Sequence, residues 1–278
     1  MRIRATVAAV SGALALSALA VPAAQAADSG TPYTLDVSFS NFKVATSIKV
    51  GASAEVSTKV SYTLTHGSGV DITADDFYTE PFLYRGTFGD DSTPQLFGDD
   101  FATCTAVDAT TATCTGTIDI YPTDDDPTSA DAGTWKAGAD ATAFNGQDPS
   151  GSSIDLSKVG YKDQGGLATT KVLRLAKLTV NASPEPVTKG KTITVTGKLS
   201  RANWDTNTYA GYASQPVKLQ FRKKGTTTYT TLKGIYSTST GTLKTTTTAS
   251  ADGYYRFAFA GSPTTSTATA TGDYVDVQ

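Results

Sequence analysis

Residues 54–64, AEVSTKVSYTL, alternate without a break. Ala54, Val56, Val60, Tyr62 and Leu64 fall on one side, and Glu55, Ser57, Lys59 and Ser61 on the other. A period of two places one row of side chains on a dry face and the other in water, so the stretch predicts a half-buried β-strand. The same period returns in TITVTGKL (Ile193, Val195, Leu199), in PVKLQFR (Val217, Leu219, Phe221) and in YYRFAF (Tyr255, Phe257, Phe259). Threonine is abundant, which suits strands better than helices. Beyond the first 26 residues no segment has helical spacing. Short strands punctuated by Gly, Asp, Ser and Pro predict an all-β chain of two immunoglobulin-like β-sandwich domains in tandem.

The amino terminus predicts export. Arg2 and Arg4 precede an apolar run from Val7 to Val21, and Ala24-Gln25-Ala26 supplies a small-x-small cleavage pattern. Residues 1–26 therefore read as a cleaved signal peptide, with no membrane span and a secreted, extracellular or cell-wall-associated product. In an oxidising compartment Cys104 and Cys114, which flank a turn at Asp108-Ala109, are expected to pair. So small a loop gives roughly 2–3 kcal/mol in the chain-entropy account. A redox or metal pair would want CxxC spacing or a nearby histidine, and the sequence has neither.

Charge divides the remaining chain. Residues 27–175 hold 9 Lys and Arg against 21 Asp and Glu, whereas 176–278 hold 12 against 5. An acidic domain (27–175, with the disulfide) followed by a basic domain (176–278) is the expected organisation, joined near RLAKLTVNASPEPV. A weak internal repeat agrees. TGTIDIYP runs through a loop into DAGTWKAGADA, and GTLKTTTTAS runs into ADGYYRFAFAG. Each is a strand, a turn with Asp and Gly, and an aromatic-led strand, as at the E–F corner of an immunoglobulin-like sandwich. On that alignment TDDDPTS is an insertion that the second half lacks.

From Leu178 to Gln278, and above all in SPEPVTKGKTITVTGKL and QFRKKGTTTYTTLK, the chain resembles the carboxy-terminal domain of secreted streptomycete proteins. Those have two immunoglobulin-like domains and are often labelled calcium-binding. The first half resembles that group more loosely, through the signal peptide, TCTAV…TATCTG and AGTWKAGADA. It departs around Phe82 to Asp100, and Tyr255 stands where the group has tryptophan. The resemblance implies calcium, but supplies no ligand set that maps onto this chain.

The residues argue against catalysis. The single histidine, His66, lies in LTHGSGVD, which has hairpin-turn composition, and no Gly-x-Ser-x-Gly elbow occurs. Most carboxylates stand in turn-like stretches and not across a cleft, and zinc lacks a ligand set. Calcium has one candidate. A curled loop could gather Asp124, Asp126 and Asp131, with Asp99 and Asp100 as remote partners; the alternative is a solvated acidic turn.

The basic half offers a face. If Pro216–Arg222 and Tyr254–Phe259 are neighbouring strands, Lys218, Arg222, Tyr254 and Arg256 share the outer side, with Lys223 and Lys224 continuing into the hairpin. Such a face suits an anionic cell-wall polymer, with nucleic acid disfavoured, or is a solvated charged surface. Three functions follow. The leading one is a non-enzymatic binding or envelope-associated protein needing no cofactor. The others are a calcium-binding structural or adhesive module, and an inhibitor or protein partner of an extracellular enzyme.

Overall fold

The computed structural model describes residues 30–90, 92–124, 127–150 and 154–278. The expected signal segment lies outside them, as does Asp126. The regular secondary structure of the described residues is almost entirely strand, and no helix among them is long and apolar enough to cross a membrane. It forms two compact units of immunoglobulin-like β-sandwich type. The first takes residues up to Ile48, Ser57–Ile120 and Thr134–Thr170; the second takes Lys49–Val56, Tyr121–Gly133 and Lys171–Gln278.

In chain order the first ten strands are β1 (Tyr33–Thr34), β2 (Val37–Lys43), β3 (Ser47–Val50), β4 (Val56–His66), β5 (Phe77–Tyr84), β6 (Gln95–Phe97), β7 (Thr103–Ala106), β8 (Thr111–Ile120), β9 (Gly133–Ala143) and β10 (Gly160–Arg174). One sheet runs β1-β10-β9-β5-β6, with β3 on β10, and the other runs β2-β4-β8-β7. The alternation in β4 does what its sequence dictates: Val60, Tyr62 and Leu64 are buried while Ser57 and Lys59 are not. Burying each such side chain contributes about 1.5–3 kcal/mol. Tyr62 stacks on Phe42 and meets Phe39 edge-on. Its hydroxyl lies 2.8 Å from Thr79 Oγ1 of the opposite sheet, so the buried phenol is satisfied. Cys104 and Cys114 are an in-register pair of β7 and β8 and form the disulfide.

The second unit holds β11 (Ala176–Leu178), β12 (Asn181–Ser183), β13 (Thr192–Asn203), β14 (Thr208–Gly211), β15 (Pro216–Lys223), β16 (Thr230–Tyr236), β17 (Thr242–Thr248), β18 (Gly253–Phe259), β19 (Ala268–Thr269) and β20 (Asp273–Val275). Around β13 gather β11, β12, β14 and β17; the facing sheet runs β16-β15-β18-β19, with β20 also on β18. Ile193, Val195, Leu199, Val217, Leu219, Leu243, Phe257 and Val275 are wholly or almost wholly buried between them. Phe221, expected inside, is only partly buried, at the margin of this core. The repeat has a structural counterpart. β8 and β17 each lie in one sheet, and β9 and β18, which follow them, lie in the other. The leading aromatics Trp135 and Tyr255 are both fully buried.

Two connecting segments are held by the second unit. The SPEP stretch is built into it. Ala182 is buried and its N–H donates to Asp273 Oδ2 at 2.7 Å, while Val187 N–H donates to Asp276 O at 2.9 Å. Both flanks of TDDDPTS are tied to the Trp204 hairpin. Asn207 Nδ2 donates to Pro122 O at 2.7 Å and to Trp204 O at 2.9 Å, and Trp204 Nε1 donates to Gly51 O at 2.9 Å. Ser129 N–H donates to Asp205 Oδ1 at 2.8 Å. Asn207 holds this position with φ of +51°, the left-handed region that Asn tolerates better than most residues.

Candidate functional site: the outer face of the basic sheet

β15 and β18 are hydrogen-bonded neighbours, in register from Val217↔Phe259 to Lys223↔Gly253. Directly opposed residues of an antiparallel pair point the same way. With Val217, Leu219, Tyr255, Phe257 and Phe259 buried, Lys218, Gln220, Arg222, Tyr254 and Arg256 are turned outward together. The four residues singled out from sequence therefore share one face.

A fifth residue, Tyr229, organises that face, and the strand pattern gave no hint of it. It precedes β16 in a threonine run with no periodicity. Arg256 Cζ stands 3.6 Å from its ring centroid. Arg222 meets two rings, with Cζ 4.1 Å from the Tyr254 centroid and 5.3 Å from the Tyr229 centroid. Each such contact contributes about 0.5–1 kcal/mol at an exposed site and fixes the plane of the guanidinium. Hydrogen bonds add to this, from Arg256 Nε to Gln220 Oε1 at 2.9 Å and from Arg222 Nη1 to Thr226 O. Gly272 makes room for the tyrosine, because a Cβ there would lie 2.2 Å from Tyr229 Oη.

The ladder continues through Tyr254 to Tyr274, with ring centroids 5.2 Å apart. Here the charge is compensated. Lys224 Nζ donates to Tyr274 Oη at 3.0 Å and lies 3.6 Å from Asp252 Oδ2. The bond to Tyr274 and the neighbouring carboxylate raise the Lys224 pKa. Lys218, Arg222 and Arg256 have no carboxylate partner among the described residues. The arginines are thus held by aromatic faces and neutral acceptors and keep their net charge.

The acidic candidates are arranged differently. Asp131 Oδ2 accepts from Thr128 N–H at 2.9 Å and from Thr128 Oγ1 at 2.6 Å, so its carboxylate closes a capping box. Asp124 Oδ1 accepts from Thr123 Oγ1, and Asp99 N–H donates to Asp119 Oδ2. Elsewhere Asp71, Asp90, Asp108, Asp148 and Asp155 each accept from the N–H and hydroxyl of the Ser or Thr two residues on. Asp-x-Ser/Thr is an Asx-turn signature, readable from sequence. Among the described residues no three Asp, Glu, His or Cys side chains converge as metal ligands would. His66 Nδ1 lies 3.1 Å from Gly67 O, within its turn.

No family model and no curated protein matches the chain. Among solved structures, the Escherichia coli adhesin FdeC is 15% identical with a TM-score of 0.33, over 90% of this chain and 66% of that one. The Yersinia pseudotuberculosis adhesin InvE is 13% identical with a TM-score of 0.26, over 84% of this chain and 58% of that one. The chain thus spans less than two thirds of the length of either. The three N-terminal domains of the bacteriophage RB49 outer capsid protein Hoc give 15% identity and a TM-score of 0.28, over 87% and 70%. At such values the likeness assigns neither ligand nor activity.

Proposed function

We propose that the protein is a secreted, non-enzymatic binding protein of the cell envelope, and that the outer face of β15 and β18 holds an anionic polymer. The observation that carries this reading is the packing of Arg222 against the Tyr254 and Tyr229 rings and of Arg256 against the Tyr229 ring. Two guanidinium groups fixed in place without carboxylate partners lose little further side-chain entropy when an anion arrives. A surface serving only solubility has no need to fix its arginines on aromatic rings.

The test is binding of anionic wall polymer by calorimetry at low salt. Joint replacement of Lys218, Arg222 and Arg256 by Glu is expected to abolish it, with the melting transition of the protein retained. Undiminished binding by that variant would overturn the reading. Calcium at Asp124, Asp126 and Asp131 finds less support, because the Asp131 carboxylate already serves Thr128.

A further inference from the structure

We infer that the outward side of β16 is a stacking subsite for a sugar ring, so that the anionic polymer is an acidic polysaccharide and not a bare polyphosphate. The inference rests on the reading of the basic face above and adds a requirement for a ring beside the charge.

Leu232 and Tyr236 are the exposed large hydrophobic side chains of the second unit among its described residues, at 42% and 72% exposure. Both stand on β16. The strand pairs only with β15 and so forms the open edge of the sheet. Tyr236 is opposite Pro216 and Gly234 is opposite Lys218. Since Lys218 points outward, so do Tyr236 and the bare Cα of Gly234. A bulge between Leu219 and Gln220 leaves Leu232 as the extra residue on β16.

Nothing lies within 4 Å of where a Gly234 Cβ would be. Gly234 therefore leaves open space on β16 between Tyr236 and the bulged Leu232, opposite Lys218 of β15. Lys233 does not crowd it, because its ammonium donates to Thr246 O on the opposite sheet.

The chemistry selects the occupant. Two apolar side chains and a proline are far too small for the core of a stable protein interface, which buries about 800 Å² on each partner. One aromatic ring beside one cation matches a single pyranose, whose C–H face stacks on Tyr236 while its carboxylate reaches Lys218. Further charges along the polymer then meet Arg256 and Arg222 on the continuous face. A polyphosphate offers the charges and leaves Tyr236 and Leu232 uncovered.

The purified protein is titrated at low salt with a uronic acid polymer, with linear polyphosphate and with a neutral glucan. The parent should bind the uronic acid polymer more tightly than polyphosphate. Tyr236→Ala should weaken the uronic acid polymer about tenfold, the factor expected for losing one ring face of contact. The same variant should leave polyphosphate binding unchanged, and Tyr236→Phe should behave as the parent. Tyr236 is so exposed that the melting temperature should not move. Equal affinity of Tyr236→Ala and parent for the uronic acid polymer overturns the subsite while leaving the basic face standing. An equal loss for both anionic polymers overturns it too. If the parent binds neither anionic polymer, the subsite and the proposed function fail together.

Discussion

Glu80 and Asp140 sit opposite one another in the β5–β9 register, so two carboxyl groups share a largely desolvated place, with Asp163 of β10 acting on Asp140 from nearby. Burial raises Glu80 from its ordinary 4.5 to about 7. Burial, then the Glu80 and Asp163 charges, raises Asp140 well above the carboxylate range. A carboxyl group that keeps its proton in the fold and loses it when unfolded contributes stability at low pH. That contribution fades as pH rises from about 4.5 through 7. The first unit should therefore lose stability over this window, on the order of 1–3 kcal/mol. Glu80→Gln should flatten the decline in denaturant melts, and an unchanged slope would show the pair to be well solvated. The Asx-turn carboxylates carry the opposite sign. Hydrogen bonds from Thr73, Ser92, Thr110 and Ser157 lower Asp71, Asp90, Asp108 and Asp155, so their contribution is lost as pH falls below about 3.8. Stability of the first unit should peak between the two windows.

Among the elements, strands were legible wherever one face is dry, because alternation in β4, β13, β15 and β18 records burial directly. What escaped was irregular. Tyr229 lies outside any strand and is recruited by two arginines and the space over Gly272. Asn207 is set by a left-handed turn that pattern reading does not resolve. The Asp-x-Ser/Thr turns were legible in principle, since residue type and spacing carry the whole mechanism. Two outcomes follow at this scale. Gly272→Ala should push Tyr229 off the arginines and weaken anionic polymer binding severalfold with the fold intact, read by calorimetry alongside circular dichroism. Asn207→Ala leaves the Pro122 and Trp204 carbonyls without their donor and should cost the second unit about 1–3 kcal/mol in urea melts. A change below a few tenths would mean that the hairpin does not hold the TDDDPTS flanks.

Taken whole, the molecule keeps an acidic first half and a basic second half, a division visible in the charge count alone. Where the units part was less visible, because Lys49–Val56 and Tyr121–Gly133 are remote in sequence from the unit that they complete. A fragment of residues 176–278 removes the Gly51 and Pro122 acceptors of Trp204 and Asn207, and should melt at lower denaturant than the second transition of the intact chain. Equal midpoints would make those segments dispensable. Binding at the basic face is tested by the salt dependence of anionic polymer affinity in the parent and in the variant with Lys218, Arg222 and Arg256 changed to Glu. Contacts between exposed charges weaken as added salt screens them. The expected result is a parent affinity that falls steeply between low and physiological salt, with no measurable binding by the variant at either. A parent affinity indifferent to salt, or a variant that binds as the parent does, would contradict it.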